Sequence, residues 1–509
     1  MDNKPKLRIN FILPPSNLSG GPLAIMEYAN RLLKKGHDVS ITTYPTTFWP
    51  EKWEKNKSPF PWFKFEGKYF YHTASVLERL SAKIAVKSYL GLGGNADDKR
   101  SMGLESFYWD WTVISYLIGC IPECDINIAT MWSTAYAAFL SKKGKAVYFM
   151  QHYEEVFYPI DDSMVLNRLG ARMSYQLPIY KIANSSWLQN MILEKCGQLV
   201  PFSNNALDLN DFQPMVKHSE NDGIIRILTF SRPEEWKGFA DTAAAMAQIH
   251  FEYGDRVEWH VFGQEHEFIK PNSPDAPYVL HIGLPFSELA KLYAQSDIVV
   301  CGSWYESFPL PPIEAMASGT AVVTTLNGME DYCFDEKNCL AVKTRDIESF
   351  VTAIRRLIED ANLRARLAKA GLDTASNYDW DTAVNRREQM LYDIFEGRVD
   401  YNIAKPLHIG LTDDVCVPYE QMPTDIQKSL ENQRLISFCG LVFLLDDGCK
   451  RHIATPEILG RIMRANEEIE ELDPITFSRI PRGLPIKTLN DVKTECVDYA
   501  AKNRKRRSL

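Results

Sequence analysis

The sequence has no long apolar run. None of its apolar segments approaches the ~20 residues that a helix needs to cross a bilayer, which argues against an integral membrane protein. The ten cysteines are scattered and include no Cys-x-x-Cys pair, so neither a disulfide framework nor a zinc site is expected. A reduced, cytoplasmic setting fits that usage, with at most a peripheral contact to a membrane. Net positive charge is missing as well: 57 Lys and Arg against 66 Asp and Glu leave −9, which speaks against a nucleic-acid partner. The opening MDNKPKLRINFILPP is too short and polar for a signal peptide. Against these absences, 45% hydrophobic and 24% charged residues over 509 positions allow a large core and about three domains' worth of chain.

The chain reads as two α/β units. Leu7 to Leu13 is a strand, Gly20-Gly21-Pro22 opens a helix that Gly36 ends, and Val39 to Thr43 is a second strand. The full Gly-x-Gly-x-x-Gly fingerprint does not open this first helix, which disfavours a nicotinamide-dependent oxidoreductase. Gly20 and Gly21 either let the backbone come close to a ligand or simply make a tight turn. From Tyr44 to about Pro122 the pattern loosens into an aromatic-rich segment. It reads as a satellite hydrophobic cluster, or as an insertion whose rings stack on sugars or dip into a membrane interface. Regular strands return at 125–130 and 145–150; the second runs into Gln151-His152-Tyr153, where His152 is either structural or set for ligand contact. The Asp161-Asp162 pair reads as surface.

A second unit starts with the strand at 224–230, followed by Ser231-Arg232-Pro-Glu-Glu-Trp-Lys237-Gly238 and a helix. Arg232 and Lys237 flank a strand-to-helix turn, where a bidentate guanidinium and a compact ammonium suit a diphosphate, the alternative being a solvated surface pair. Strands at 257–262 and 278–282 follow, then a helix over 285–295 with Ser287 as N-cap. The chain then reaches Ser296–Thr325, two short β-branched strands around a turn and a helix that begins at Pro311-Pro312 and ends at Gly319. Glu306 in the loop and Glu314 in the first helical turn aim two carboxylates and free backbone N–H groups into one crevice. Carboxylates there can accept from sugar hydroxyls, and amides at a helix start can bind anionic oxygens.

The run Glu306-Ser-Phe-Pro-Leu-Pro-Pro-Ile-Glu314, followed by Ala-Met-Ala-Ser-Gly319, resembles the two-glutamate motif of retaining GT-B glycosyltransferases, specifically glycosyltransferase family 4. Arg232 with Lys237-Gly238 matches that family's basic pair, Gly20-Gly21 its glycine loop, and His152 its mid-chain histidine. Tyr378-Asp-Trp-Asp and the helix after it resemble the element by which such enzymes cross back to their first domain. The likeness covers roughly residues 7–397. It departs at Pro309 and Cys339, where glycines are common, and in the aromatic insertion.

The resemblance implies a GT-B architecture: an acceptor domain over 1–205 with an insertion at about 45–122, a nucleotide-sugar domain over 206–397, and an extension over 398–509 of unknown role. Within that extension, Leu435 to Leu445 suits a buried strand or helix, and the basic cluster at 502–507 reads as a solvated tail or, as the lesser alternative, a contact to anionic lipid or nucleic acid. The implied activity is retaining, hexosyl- or deoxyhexosyl-type transfer from a nucleotide diphosphate sugar to a glycan or lipid-linked glycan, in glycan or polysaccharide synthesis, without metal or cofactor. Glu306 and His152 are the implied catalytic positions. Arg232, Lys237, Glu314, Gly20, Gly21, Phe308 and Leu310 are the implied substrate-binding positions. A catalytically silent GT-B scaffold or partner subunit is the alternative, disfavoured by the intact charged residues.

Overall fold

The computed structural model describes residues 4–14, 20–43, 65–71, 99–158, 164–217, 219–263 and 276–399, with four strands between 435 and 471. The chain forms two compact units, Met1–Lys405 and Pro406–Leu509.

The first unit holds two six-stranded sheets. In the first sheet, β1 (Arg8–Leu13) leads to α1 (Gly20–Lys34), β2 (Asp38–Thr43) and β3 (Lys68–Tyr71). Helix α2 (Lys99–Cys120) precedes β4 (Ile126–Ala129), α3 (Trp132–Ser141), β5 (Lys145–Met150), α4 (Val165–Ser174), β6 (Tyr180–Ala183) and α5 (Ser186–Cys196). All pairings are parallel and the spatial order is β3-β2-β1-β4-β5-β6, the order of a dinucleotide-binding sheet.

The second sheet repeats that order. It comprises β7 (Ile225–Ser231), α6 (Phe239–Tyr253), β8 (Val257–Gly263), β9 (Val279–Ile282), α7 (Phe286–Gln295) and β10 (Ile298–Cys301). Helix α8 (Leu310–Ala317), β11 (Ala321–Thr324) and β12 (Leu340–Ala341) complete it, in the order β12-β11-β10-β7-β8-β9. Every residue of β10 and β11 is buried, because helices cover both faces. One face packs Ile298, Val300 and Val323 against α6 and α9 (Ile347–Glu359); the other packs Val299 and Val322 against α7 and α8. In each sheet the order reverses between the first and fourth strands, β1–β4 and β7–β10, and opens a crevice at their carboxyl ends.

After α10 (Ala361–Ala375), helix α11 (Trp380–Phe395) returns to the first sheet. Its Trp380, Val384, Leu391, Tyr392 and Ile394 join the core around β1 and α1. Buried Arg387 lies over Tyr28 and Phe149, at 3.3 and 3.5 Å from the ring centroids. The crossover read from Tyr378-Asp-Trp-Asp is therefore present. In the second unit, β13 (Leu435–Phe438) and β14 (Leu441–Asp446) form an antiparallel hairpin from the apolar run, flanked by β15 (Cys449–His452) and β16 (Glu470–Glu471).

Three sequence readings change. The loose segment before Pro122 contains β3 and α2; Val113, Ile114 and Leu117 of α2 are buried, but flanking aromatics blur their helical spacing. Ser287 is not the N-cap of α7. Pro285 holds that position and its carbonyl accepts from Glu288 and Leu289, so Ser287 lies inside the first turn. Glu314 is the fifth residue of α8, one turn later than expected. Asp161-Asp162, most of the aromatic insertion and the basic cluster at 502–507 lie outside the described residues. No helix among the described residues is long and apolar enough to cross a membrane.

Candidate functional site

The crevice of the second sheet gathers charge. β7 ends in Ser231, placing Arg232 at its carboxyl edge, and a single 3-10 turn over Glu235–Lys237 precedes α6. Gly238 links that turn to the helix at φ +66°, where an added Cβ would lie 1.9 Å from the Gly302 carbonyl oxygen. Only glycine fits this left-handed, close-packed position, and it holds Lys237 beside the loop after β10. Lys237 Nζ donates to Glu306 Oε1 at 2.6 Å. Burial opposes ionisation of Glu306, but the Lys237 ammonium and its hydrogen bond, together with His152 and a hydrogen bond from Ser303, outweigh it and hold this carboxyl below its ordinary value. The Glu306 backbone is fixed by its N–H donating to the Asn327 carbonyl at 3.1 Å. Gly328, at φ +91°, packs so closely that a Cβ would meet the Glu306 oxygen at 2.0 Å.

Arg232 has no hydrogen-bond or ion-pair partner among the described residues, and burial pulls its pKa below the ordinary guanidinium value. Glu314 is also buried. Its Oε2 accepts from the Tyr293 hydroxyl at 2.7 Å, and burial pushes its carboxyl up to about 7. No cation pairs with it among the described residues. The carboxyl edge of the second sheet thus carries an unpaired guanidinium, an ammonium with two N–H bonds to spare, and a carboxyl able to accept from a neutral donor.

His152 comes from the first sheet. It is 8% exposed, and its ring lies 4.9 Å from Phe157, 5.6 Å from Trp187 and 6.1 Å from Tyr305. Nδ1 lies 3.3 Å from the Tyr153 carbonyl, which can only accept; Nδ1 therefore carries the proton, and buried, unpartnered Nε2 is left as an acceptor. Burial drops the imidazole pKa to about 4, so the ring is neutral at pH 7 even with Glu306 nearby. The two sheets also meet through polar pairs. Ser307 Oγ donates to Asn184 and lies 3.2 Å from Ser185 Oγ; Asp331 accepts from the Ser186 N–H and Asn204 at 3.0 and 2.6 Å.

The other sequence candidates sit differently. The Phe308 side chain turns into the core against Tyr332 and Tyr378, at 5.1 and 5.9 Å between ring centroids. Half-buried Leu310 packs on the same cluster. What these two positions can offer a ligand is backbone N–H: the first amides of a helix lack internal partners, and Pro311 and Pro312 contribute none. Gly20 and Gly21 open α1 at the reversal point of the first sheet, with open space around Gly21. Sequence reading missed Tyr293, Gly302, Asn327 and Gly328. Nothing in their local pattern separates them from ordinary helix and turn residues.

Residues 225–360 match the family model of glycosyl transferases group 1. O-antigen biosynthesis protein RfbC of Myxococcus xanthus is 28% identical over 277 residues, 53% of this chain and 21% of that protein. A D-inositol 3-phosphate glycosyltransferase of Corynebacterium aurimucosum is 32% identical over 110 residues, 21% of this chain and 26% of that protein. The chain thus spans about a fifth to a quarter of the length of these relatives. Among solved structures, sucrose-phosphate synthase from Thermosynechococcus elongatus superposes with a TM-score of 0.57 at 16% identity, over 76% of this chain and 99% of that one. Anabaena HepE in complex with UDP-glucose gives 0.54 at 16% identity, over 76% and 100%. The chain has the GT-B fold, and its segment 225–360 is similar to the glycosyl transferases group 1.

Proposed function

We propose that the protein transfers a sugar from a nucleoside diphosphate sugar to an acceptor hydroxyl with retention of anomeric configuration, in the building of a glycan. The observation that supports this most is the set Arg232, Lys237, Glu306 and Glu314 at the reversal point of the second sheet, with Lys237 held on Glu306 at 2.6 Å. HepE, of the same fold, is solved with UDP-glucose, which favours a nucleotide sugar as donor.

On this reading Glu314 accepts from ribose hydroxyls, and Arg232 and Lys237 face the diphosphate. As the glycosidic bond breaks, negative charge grows on the departing diphosphate, so fixed cations help most in the transition state. Lys237 can serve the phosphate while bound to Glu306, because an ammonium has three N–H bonds. Glu306, kept ionised, orients donor hydroxyls and supports positive charge on the sugar. His152 Nε2 accepts from a donor hydroxyl across the cleft. The acceptor attacks from the face that the diphosphate leaves, and no carboxylate pair at glycosidase spacing is needed. With two cations on the leaving group, turnover needs no divalent metal.

A screen of nucleotide sugars for released nucleoside diphosphate, wild type beside Glu306→Gln, tests the reading. One donor should turn over, fail in the variant and ignore a chelator. Silence across the panel, with no nucleotide shifting the melting temperature, would leave a GT-B scaffold without activity.

A further inference from the structure

Tyr293 lies near the end of α7, in contact with Glu314 of α8. It is 1% exposed, and three neighbours fix its place. The ring meets Phe212 and Phe230, each at 5.9 Å between centroids, and its carbonyl accepts from Thr320 Oγ1 at 2.8 Å. A side chain so clamped has one rotamer to offer. Its hydroxyl donates to Glu314 Oε2 at 2.7 Å, which leaves Oε1 as the carboxylate oxygen for a ligand. The same hydroxyl is close enough to Arg232 for each group to shift the ionisation of the other.

We infer that Tyr293 is the positioning residue of the nucleotide site: it holds Glu314 with one oxygen toward the ribose and ties that carboxylate to the Arg232 side of the diphosphate pocket. The inference rests on the reading of this crevice as a nucleotide-sugar site. Tyr293 touches no substrate atom, so its effect is expressed through Glu314. A hydroxyl that donates to a carboxylate favours the ionised form, which is the form that accepts from two hydroxyls. The groups facing this pair are Arg232 after β7 and Cys301 at the end of β10; among the described titratable residues Glu314 meets only Tyr293. Because burial holds Glu314 near neutrality, loss of the donor moves its titration to higher pH.

The test is calorimetric titration of the full chain with UDP, ADP and GDP, continued with whichever binds and with its 2′,3′-dideoxy analogue. In Tyr293→Phe, affinity for the ribose nucleotide should fall about tenfold at pH 7. The acid limb of binding should move to higher pH, and affinity for the dideoxy analogue, which gives Glu314 nothing to bind, should hardly change. Glu314→Gln should remove most of the Tyr293→Phe penalty. A Tyr293→Phe chain that loses both nucleotides equally, or neither, overturns the positioning role. A wild type that binds none of the three overturns the reading of the crevice itself, so the two failures are distinct.

Discussion

The two sheets of the first unit share one strand order and differ in what fills the crevice at its reversal point. In the first sheet the helix start at that place is satisfied from within. The Trp132 N–H at the start of α3 donates to Glu154 Oε2 at 2.6 Å, and Thr134 Oγ1 accepts from the N–H groups of Thr130 and Met131 at 2.9 Å. In the second sheet the matching helix, α8, starts at Pro309 with no side-chain cap, and the nearby charges are two cations and two carboxylates. The turns after the first strands differ likewise: Gly20-Gly21 carries no charge, whereas Arg232 to Gly238 carries the phosphate candidates. One topology thus gives a helix start satisfied by the chain's own side chains in one half and an uncapped helix start beside charged groups in the other. Function follows the residues at the strand ends rather than the sheet.

Substitutions at matched places sharpen the contrast. The largest effect belongs to the glycines. Gly238→Ala puts a Cβ 1.9 Å from a backbone oxygen at a left-handed φ and should cost more than about 3 kcal/mol, read by thermal or urea unfolding. Gly21→Ala, in open space on α1, should leave stability within about 1 kcal/mol or raise it. Next come the cations. Arg232→Ala or Lys237→Ala should each slow turnover of the identified donor by on the order of 100-fold, about 3 kcal/mol, with folding intact; an unchanged rate refutes the phosphate assignment.

Smaller effects come from the first sheet. Burial pushes Glu154 up to about 8 from an ordinary 4.5, so the folded chain binds a proton that the unfolded chain has lost. Its contribution to stability is full below the ordinary value and disappears as pH rises through about 8. Glu154→Gln should flatten that alkaline fall in melting temperature and leave turnover nearly unchanged. His152 has the opposite sign. With its pKa lowered from 6.5 to about 4, its contribution is full above 6.5 and is lost as pH falls through about 4, an acid limb that His152→Phe should weaken.

Much of this was legible in the sequence. The strands at 225–231, 257–263, 298–301 and 321–324 are short apolar runs between turns, and the basic pair and the two glutamates stand at their ends, where local pattern places them. The helix over 347–359 has buried residues at regular helical spacing. What stayed hidden depends on tertiary contact. Tyr293 reads as one more apolar position on α7 until folding sets its hydroxyl on Glu314. Phe308 reads as part of a binding loop, yet its ring completes a core with Tyr332 and Tyr378. Helix α2 escaped because large aromatics dilute its periodicity, and Ser287 misled because a proline two residues earlier already supplied the helix start.

The central claim is that nucleotide is held by the second sheet, and the direct measurement is the affinity of nucleoside diphosphate for the full chain across a matched set: wild type, Lys237→Ala, Glu314→Gln and Gly21→Ala. The account predicts tight binding by wild type and Gly21→Ala, with at least tenfold loss in the other two. For wild type it also predicts weakening as pH falls below about 7, where Glu314 gains its proton. Equal binding by all four, or loss confined to Gly21→Ala, would contradict it.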